Sequence, residues 1–218
     1  MPVDVLRTTG ASRQFTSDSV PDAVVREILD DARFAPSGGN RQPWRVAVVQ
    51  DPAIRRRLAD LMQPVWDEYV ARGGRSGAAP FNSVEDAPPP GDVSHAANPL
   101  LDGIESVPVV LVVAADLRRI ALMDGALDRP ALTGGASIYP FCWSILLAAS
   151  QRGLGGVMTT FLSRVEPEAA TVVGLPEHHA LAATVFLGVP ERHLTRLRRE
   201  PVASFTTVDR FDGAAFDG

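Results

Sequence analysis

Apolar positions along the chain switch abruptly between helical and strand-like spacing. Residues 2–9 are weakly helical, with Val3, Val5 and Leu6 as the apolar members. Val24, Val25, Ile28, Leu29 and Ala32 then recur at the spacing of one helix face. Ser19-Val20-Pro21-Asp22 precedes them with proline in the first turn and an acid beside it, a helix-start signature, so a helix is predicted to about Phe34. Pro36 ends it, because the residue before a proline is pushed out of the α region. The run from Trp44 to Val49 reads as a strand. Asp51-Pro52 opens a second helix whose buried stripe is Ile54, Leu58, Leu61, Met62 and Val65. Arg55, Arg56 and Arg57 on that helix read as a solvated face. Val107 to Ala115 is almost unbroken apolar sequence, as expected of a central strand buried on both faces. Val157 to Phe161 and Ala180 to Leu187 give two more strands, with a short helix over Glu166 to Val173 between them.

Two stretches depart from this rhythm. Pro130 to Gln151 holds no charged residue. Ile138, Phe141, Cys142, Ile145, Leu146 and Ala149 have helical spacing, with Trp143 and Leu147 on the other side, and a helix apolar all round is expected to be buried. Gly134, Gly135 and Pro140 interrupt its start and leave the apolar part too short to span a bilayer. Gly153-Leu154-Gly155-Gly156 ends the helix. From Arg72 to about Leu100, by contrast, Gly73-Gly74, Pro80 and Pro88-Pro89-Pro90-Gly91 break up a sequence poor in aliphatics. A stretch this long is either a lid over a site or a surface loop.

Composition narrows the chemistry. The 218 residues suffice for one domain or two small ones with a sizeable core. The net charge of −5 gives no reason to expect capture of nucleic acid or anionic membrane. All 21 basic residues are Arg. The absence of lysine excludes a P-loop lysine, a Schiff-base lysine and ordinary pyridoxal-phosphate catalysis. Any cation that holds a phosphate must therefore be Arg, whose planar fork suits that task. The single Cys142 excludes an intrachain disulfide. Together with an N-terminus that shows no signal pattern, it fits a cytoplasmic setting. His95, His178, His179 and His193 have no metal-ligand spacing, so no metal is expected. Neither a G-x-S-x-G elbow nor a G-x-G-x-x-G fingerprint is present.

The stretch Pro36-Ser37-Gly38-Gly39-Asn40-Arg41-Gln42-Pro43-Trp44 lies where the first long helix gives way to a strand. Gly38 and Gly39 allow close backbone approach to a ligand, and Ser37, Asn40 and Gln42 supply short polar side chains. Read from physics alone, the stretch serves equally well as a binding loop or as an ordinary connection. It resembles the P-S-x-x-N-x-Q-P-W signature of the nitroreductase family of FMN-dependent oxidoreductases. Further matches extend the resemblance over most of the chain. Arg13 and Phe15 match an R-x-x-R/K-x-F element whose cations grip the flavin phosphate, while Thr9 and Gly10 stand where its first arginine is expected. Gly188-Val189-Pro190 matches a G-x-P, and Arg199-Glu200-Pro201 an R-x-P whose arginine reaches the phosphate, with Arg198 as the fallback.

The resemblance implies a single α+β domain over residues 1–218, with a mostly antiparallel central sheet flanked by helices in an intertwined homodimer. It implies a lid-like insertion at about 72–100 and a C-terminal arm at about 200–218. Non-covalent FMN would take hydride from NADPH or NADH at N5 and pass electrons to a nitroaromatic, a quinone or a similar small acceptor. Arg13 with Arg199 or Arg198 would hold the phosphate. Pro36, Ser37, Gly38 and Asn40 would line the ribityl chain and ring edge. The strand end at Met158, Thr159 and Thr160 would face N5. Asn98 and Asp102 fall where some members place polar groups on the pyrimidine ring, and Trp66, Tyr69 and Phe81 are expected near the substrate. No catalytic acid or base side chain is expected. Two other readings stay open: a non-catalytic flavin-binding protein of the same fold, and a specialised dehydrogenase or dehalogenase of the superfamily.

Overall fold

The computed structural model describes residues 5–85, 89–91, 95–193 and 195–216. Residues 2–4 of the expected N-terminal helix, 86–88 and 92–94 of the expected lid, and 217–218 of the expected arm lie outside them. In chain order the elements are α1 (Val5–Thr8), α2 (Asp22–Ala32), β1 (Trp44–Val48), α3 (Pro52–Ala71), α4 (Pro99–Asp102) and β2 (Val109–Asp116). There follow α5 (Tyr139–Gln151), β3 (Gly155–Thr159), α6 (Phe161–Arg164), α7 (Glu166–Val173) and β4 (His179–Gly188).

The four strands form one antiparallel sheet in the order β1-β2-β4-β3. The apolar run of β2 is buried along its whole length. Strand alternation divides it between two cores. Val109, Leu111, Val113 and Ala115 face a layer containing α2 and α5, and Val110, Val112 and Ala114 face a layer containing α3, α4, α6 and α7. Each fully buried Val or Leu contributes about 1.5–3 kcal/mol, so this strand serves both cores at once. A bulge between Val113 and Ala114 adjusts its register against β4.

Local chemistry explains the helix boundaries. Asp51 caps α3 by accepting from Ala53 N at 2.7 Å, with Pro52 in the first turn. Gly174 ends α7 in the left-handed conformation. In α2, Val25, Ile28 and Ala32 are buried.

Two expectations need correcting. Arg55 is not part of a solvated face. Only 8% exposed, it donates to Val49 O at 2.8 Å and, through Nη1, to Glu105 O at 3.1 Å and Val107 O at 2.6 Å. The guanidinium thereby satisfies the carbonyl that follows β1 and two that lead into β2. Helix α5 is not buried all round either: Tyr139 and Trp143 remain 40% and 38% exposed on the single chain. Its other face packs as expected, with the Phe141 ring stacked on Trp44 at 4.6 Å and 3°.

Candidate active site

Residues 11–16 run along the end of the sheet. Ser12 N donates to Gly156 O at 2.9 Å and Thr16 N to Val189 O at 2.8 Å. The strip fits closely because Gly155 has no side chain: a Cβ there would stand 2.7 Å from Ser12 Oγ. Phe15 packs into the core layer of α3, its ring against Gly188. Arg13 is thus carried to the wall of a cavity of about 570 Å³. Met158, Thr159 and Thr160 at the end of β3 line the same cavity, as do Trp66 and Tyr69 from α3, Arg75, Asn98 and Phe161.

The aromatic wall is continuous. The Trp66 and Tyr69 rings are stacked at 5.7 Å and 17°, and Phe161 is tilted by 56° against both at 5.9 and 6.4 Å. Among the described residues, no carboxylate, imidazole or thiol lines the cavity. Two buried polar atoms of its lining residues, Thr159 Oγ1 and Trp66 Nε1, have no hydrogen-bond partner among the described residues. Groups left in this state in a folded interior call for an explanation such as a ligand or water. Asn98 is 7% exposed and caps α4, accepting from Leu100 N at 3.3 Å.

The loop signature builds a second cavity of about 490 Å³. Pro36, Ser37, Gly38, Met123, Thr133 and Ser137 are among its lining residues. The loop holds its shape through its own polar groups. Ser37 Oγ accepts from Gln42 N and Ser137 Oγ from Gly38 N, both at 3.0 Å, and Gln42 Nε2 donates to Asn40 Oδ1 at 3.1 Å. Gly39, Asn40 and Gln42 all have positive φ, at 60°, 52° and 48°. For Gln42 that conformation is strained, and strain of this kind gathers at functional sites.

The opposite wall is tied down by Asp124, which accepts from Arg129 Nη1 at 2.7 Å, from Leu132 N at 2.8 Å and from the Thr133 hydroxyl. The Thr133 hydroxyl, then the Leu132 amide and the Arg129 guanidinium, hold the Asp124 carboxyl well below the usual carboxylate range.

The expected site residues therefore fall into separate groups. Arg13, Met158, Thr159 and Thr160 come together, as do Pro36, Ser37 and Gly38. The two groups lie at opposite edges of the sheet, because the loop feeds β1 and the other group ends β3. Three strand spacings separate those edges, about 14 Å. Asn40 turns its amide to Gln42 and lines neither cavity. Arg198 and Arg199 are exposed and also line neither, and the Arg199 Nη1 donates to Arg198 O at 2.7 Å. Trp66 and Tyr69, expected near the substrate, line the first cavity. Phe81 does not: its ring lies under the Arg164 guanidinium at 3.8 Å, outside the cavity wall. Arg75, Phe161 and Ser137 were not foreseen. For Arg75 a signal was present, a lone cation inside the glycine-rich Gly73-Gly74-Arg75-Ser76-Gly77.

Comparison with known proteins agrees with this architecture. Residues 6–189 match the model of the nitroreductase family. The chain is 34% identical over 180 residues to an NADH dehydrogenase of Thermus thermophilus, covering 82% of this chain and 81% of the relative. It is 22% identical over 193 residues to mouse iodotyrosine deiodinase 1, covering 88% of this chain and 63% of the relative. The fold superposes on the NADPH:FMN oxidoreductase of Vibrio harveyi with a TM-score of 0.68 at 20% identity, covering 96% of this chain and 77% of the other. The chain belongs to the nitroreductase family.

Proposed function

We propose that the protein is a homodimeric FMN-dependent oxidoreductase that takes hydride from NADH or NADPH and reduces a small planar acceptor such as a nitroaromatic or a quinone. The observation that carries this reading is the cavity at the β3 edge. It combines two arginines without an ion pair among the described residues, an aromatic wall and orphaned polar atoms, and none of its described lining residues is an acid that would repel a phosphate. These features fit a flavin mononucleotide. When bound, FMN supplies reversible two-electron chemistry at N5. The residues present have distinct tasks toward it. Arg13 holds the phosphate. Gly156 O faces away from β4 toward Ser12, so by strand alternation the Met158 N–H also faces outward, meets no backbone acceptor among the described residues and can donate to the ring. Trp66, Tyr69 and Phe161 exclude water from the ring face. The described lining residues include no carboxyl or imidazole, and the Tyr69 phenol is engaged with Gly74 O, so in this reading the chain's part is to bind and orient.

The distance between the two half-sites supports the dimer. A two-fold partner would bring the Pro36–Gly38 loop of one chain to the β3 edge of the other, and the exposed Tyr139 and Trp143 on uncharged α5 are suited to that contact. The names of the bacterial relatives support the electron donor. A cytoplasmic setting belongs to the same reading. Among the described residues, no helix is long and apolar enough to cross a membrane.

The test is a visible spectrum of the purified protein followed by anaerobic addition of NADPH and NADH in turn. Flavin bands that bleach with either donor are the expected result. A second reading, flavin binding without turnover, is favoured by one observation. Gly10, three residues before Arg13, stands where the first arginine is expected, and the buried hydroxyl of the neighbouring Thr9 has no partner among the described residues. Under that reading FMN binds weakly and neither donor bleaches it. The similarity to a deiodinase adds one assay to the same experiment, iodide release from iodotyrosine by the reduced protein.

A further inference from the structure

We infer that Arg75 determines acceptor specificity, selecting planar aromatic acceptors that carry a negative charge, such as a ring carboxylate, over neutral ones of the same size. The inference rests on the function proposed above and identifies the second molecule that enters its cavity.

Arg75 lies on a short turn, Gly74–Ser76, between two left-handed glycines, Gly73 at φ 79° and Gly77 at φ 95°. The turn sits directly on the aromatic wall. Tyr69 Oη donates to Gly74 O at 3.2 Å, and a Cβ on Gly74 would stand 2.3 Å from the Tyr69 ring. Only glycine permits that approach, and it places Arg75 at the rim of the stacked Trp66 and Tyr69 rings.

The neighbouring cations are occupied. Arg72 pairs with Glu68 at 2.9 Å, and Arg164 pairs with Glu68 at 3.2 Å while covering Phe81. Arg75 and Arg13 have no ion pair among the described residues, and none of the described residues of the cavity wall is an acid that would neutralise them. In a chain of net charge −5, this cavity therefore concentrates uncompensated positive charge. If Arg13 is committed to the cofactor phosphate, Arg75 is left to meet whatever stacks on the aromatic wall. A ring provides the surface for stacking and a carboxylate matches the guanidinium fork.

The experiment compares kcat/KM for p-nitrobenzoate and for p-nitrobenzyl alcohol, its neutral counterpart. The wild-type protein should favour the anion by about 10-fold, within reach of one partly exposed charge-assisted contact. Arg75→Gln should abolish the preference, mainly through KM, and Arg75→Lys should keep part of it. Raising the salt to about 0.5 M should shrink it by screening. Arg57→Gln, which removes an exposed cation outside the cavity, should leave it unchanged.

Calorimetric titration with benzoate and benzyl alcohol gives a second readout that needs no turnover. An active flavoprotein in which Arg75→Gln leaves the preference intact overturns the inference and spares the proposed function. A variant that changes only the choice between NADPH and NADH also overturns it, because Arg75 would then read the phosphate of the donor. If the protein holds no flavin, the proposed function fails, and benzoate binding that does or does not depend on Arg75 decides the inference alone.

Discussion

Arg55, Arg56 and Arg57 are consecutive yet meet different surroundings. Arg55 is buried against three carbonyls, Arg56 pairs with Asp60 at 2.9 Å, and Arg57 stays in solvent. Sequence alone does not distinguish them, because two of the carbonyls that receive Arg55 belong to residues about fifty positions away. Arg55→Met should lower stability by about 2–4 kcal/mol, since it strands several buried acceptors, and urea denaturation measures this. Asp124 supplies a pH test. A carboxyl whose folded value is depressed stabilises fully above the unfolded value and loses that contribution as pH falls toward the folded value. Asp124→Asn should therefore be less stable than wild type at pH ~6, and the gap should close as pH drops below about 4. A gap that stays constant with pH would mean that the carboxylate charge does not stabilise the Thr133 loop.

Among the elements, those with a strong period were legible in the sequence. The helix expected over Glu166 to Val173 coincides with α7, and β1, β2 and β4 lie within two residues of their expected bounds, because burial on one or both faces leaves a direct mark on residue choice. Less legible were features that depend on close approach between distant segments. Gly156 illustrates this. A Cβ at this position would lie 2.5 Å from Leu187 Cδ2, 2.8 Å from Phe186 O and 2.9 Å from Leu146 Cδ2, where β3 passes between β4 and α5. Gly156→Ala should cost about 1–3 kcal/mol through overpacking, visible as a lower thermal midpoint. It should also displace Ser12 and with it Arg13, so cofactor affinity should fall alongside stability. The sequence marked Gly156 only as part of a helix terminus, since the three atoms that confine it come from two other elements, β4 and α5.

At the scale of the whole molecule, the sequence named residues that line two cavities but not how those cavities are arranged. The loop signature and the β3 end were both recognised. That they occupy opposite edges of one sheet follows from the strand order, which periodicity does not encode. The outward Trp143 has the same origin: its α5 is uncharged because most of its surface meets core, and the remainder is suited to a second chain. Trp143→Glu should weaken association by about 2 kcal/mol or more, as expected for a central aromatic anchor. Light scattering across a dilution series would show this, and cofactor retention should fall with it. A variant that stays dimeric and keeps its cofactor would place the subunit contact on another surface.

Cys142 gives the molecule an internal clock. Its thiol is fully buried on α5, and burial pushes it up to about 12, so a thiol reagent has no native target and modifies the chain only during excursions that open the core. The chain has no second cysteine and no lysine to confuse the signal. The rate of labelling, divided by the rate for an unfolded peptide, then gives the opening equilibrium directly. If subunit pairing across α5 stabilises the same core, that rate must fall as protein concentration rises. A single sulfur atom thus reports on folding and association together, without an added probe.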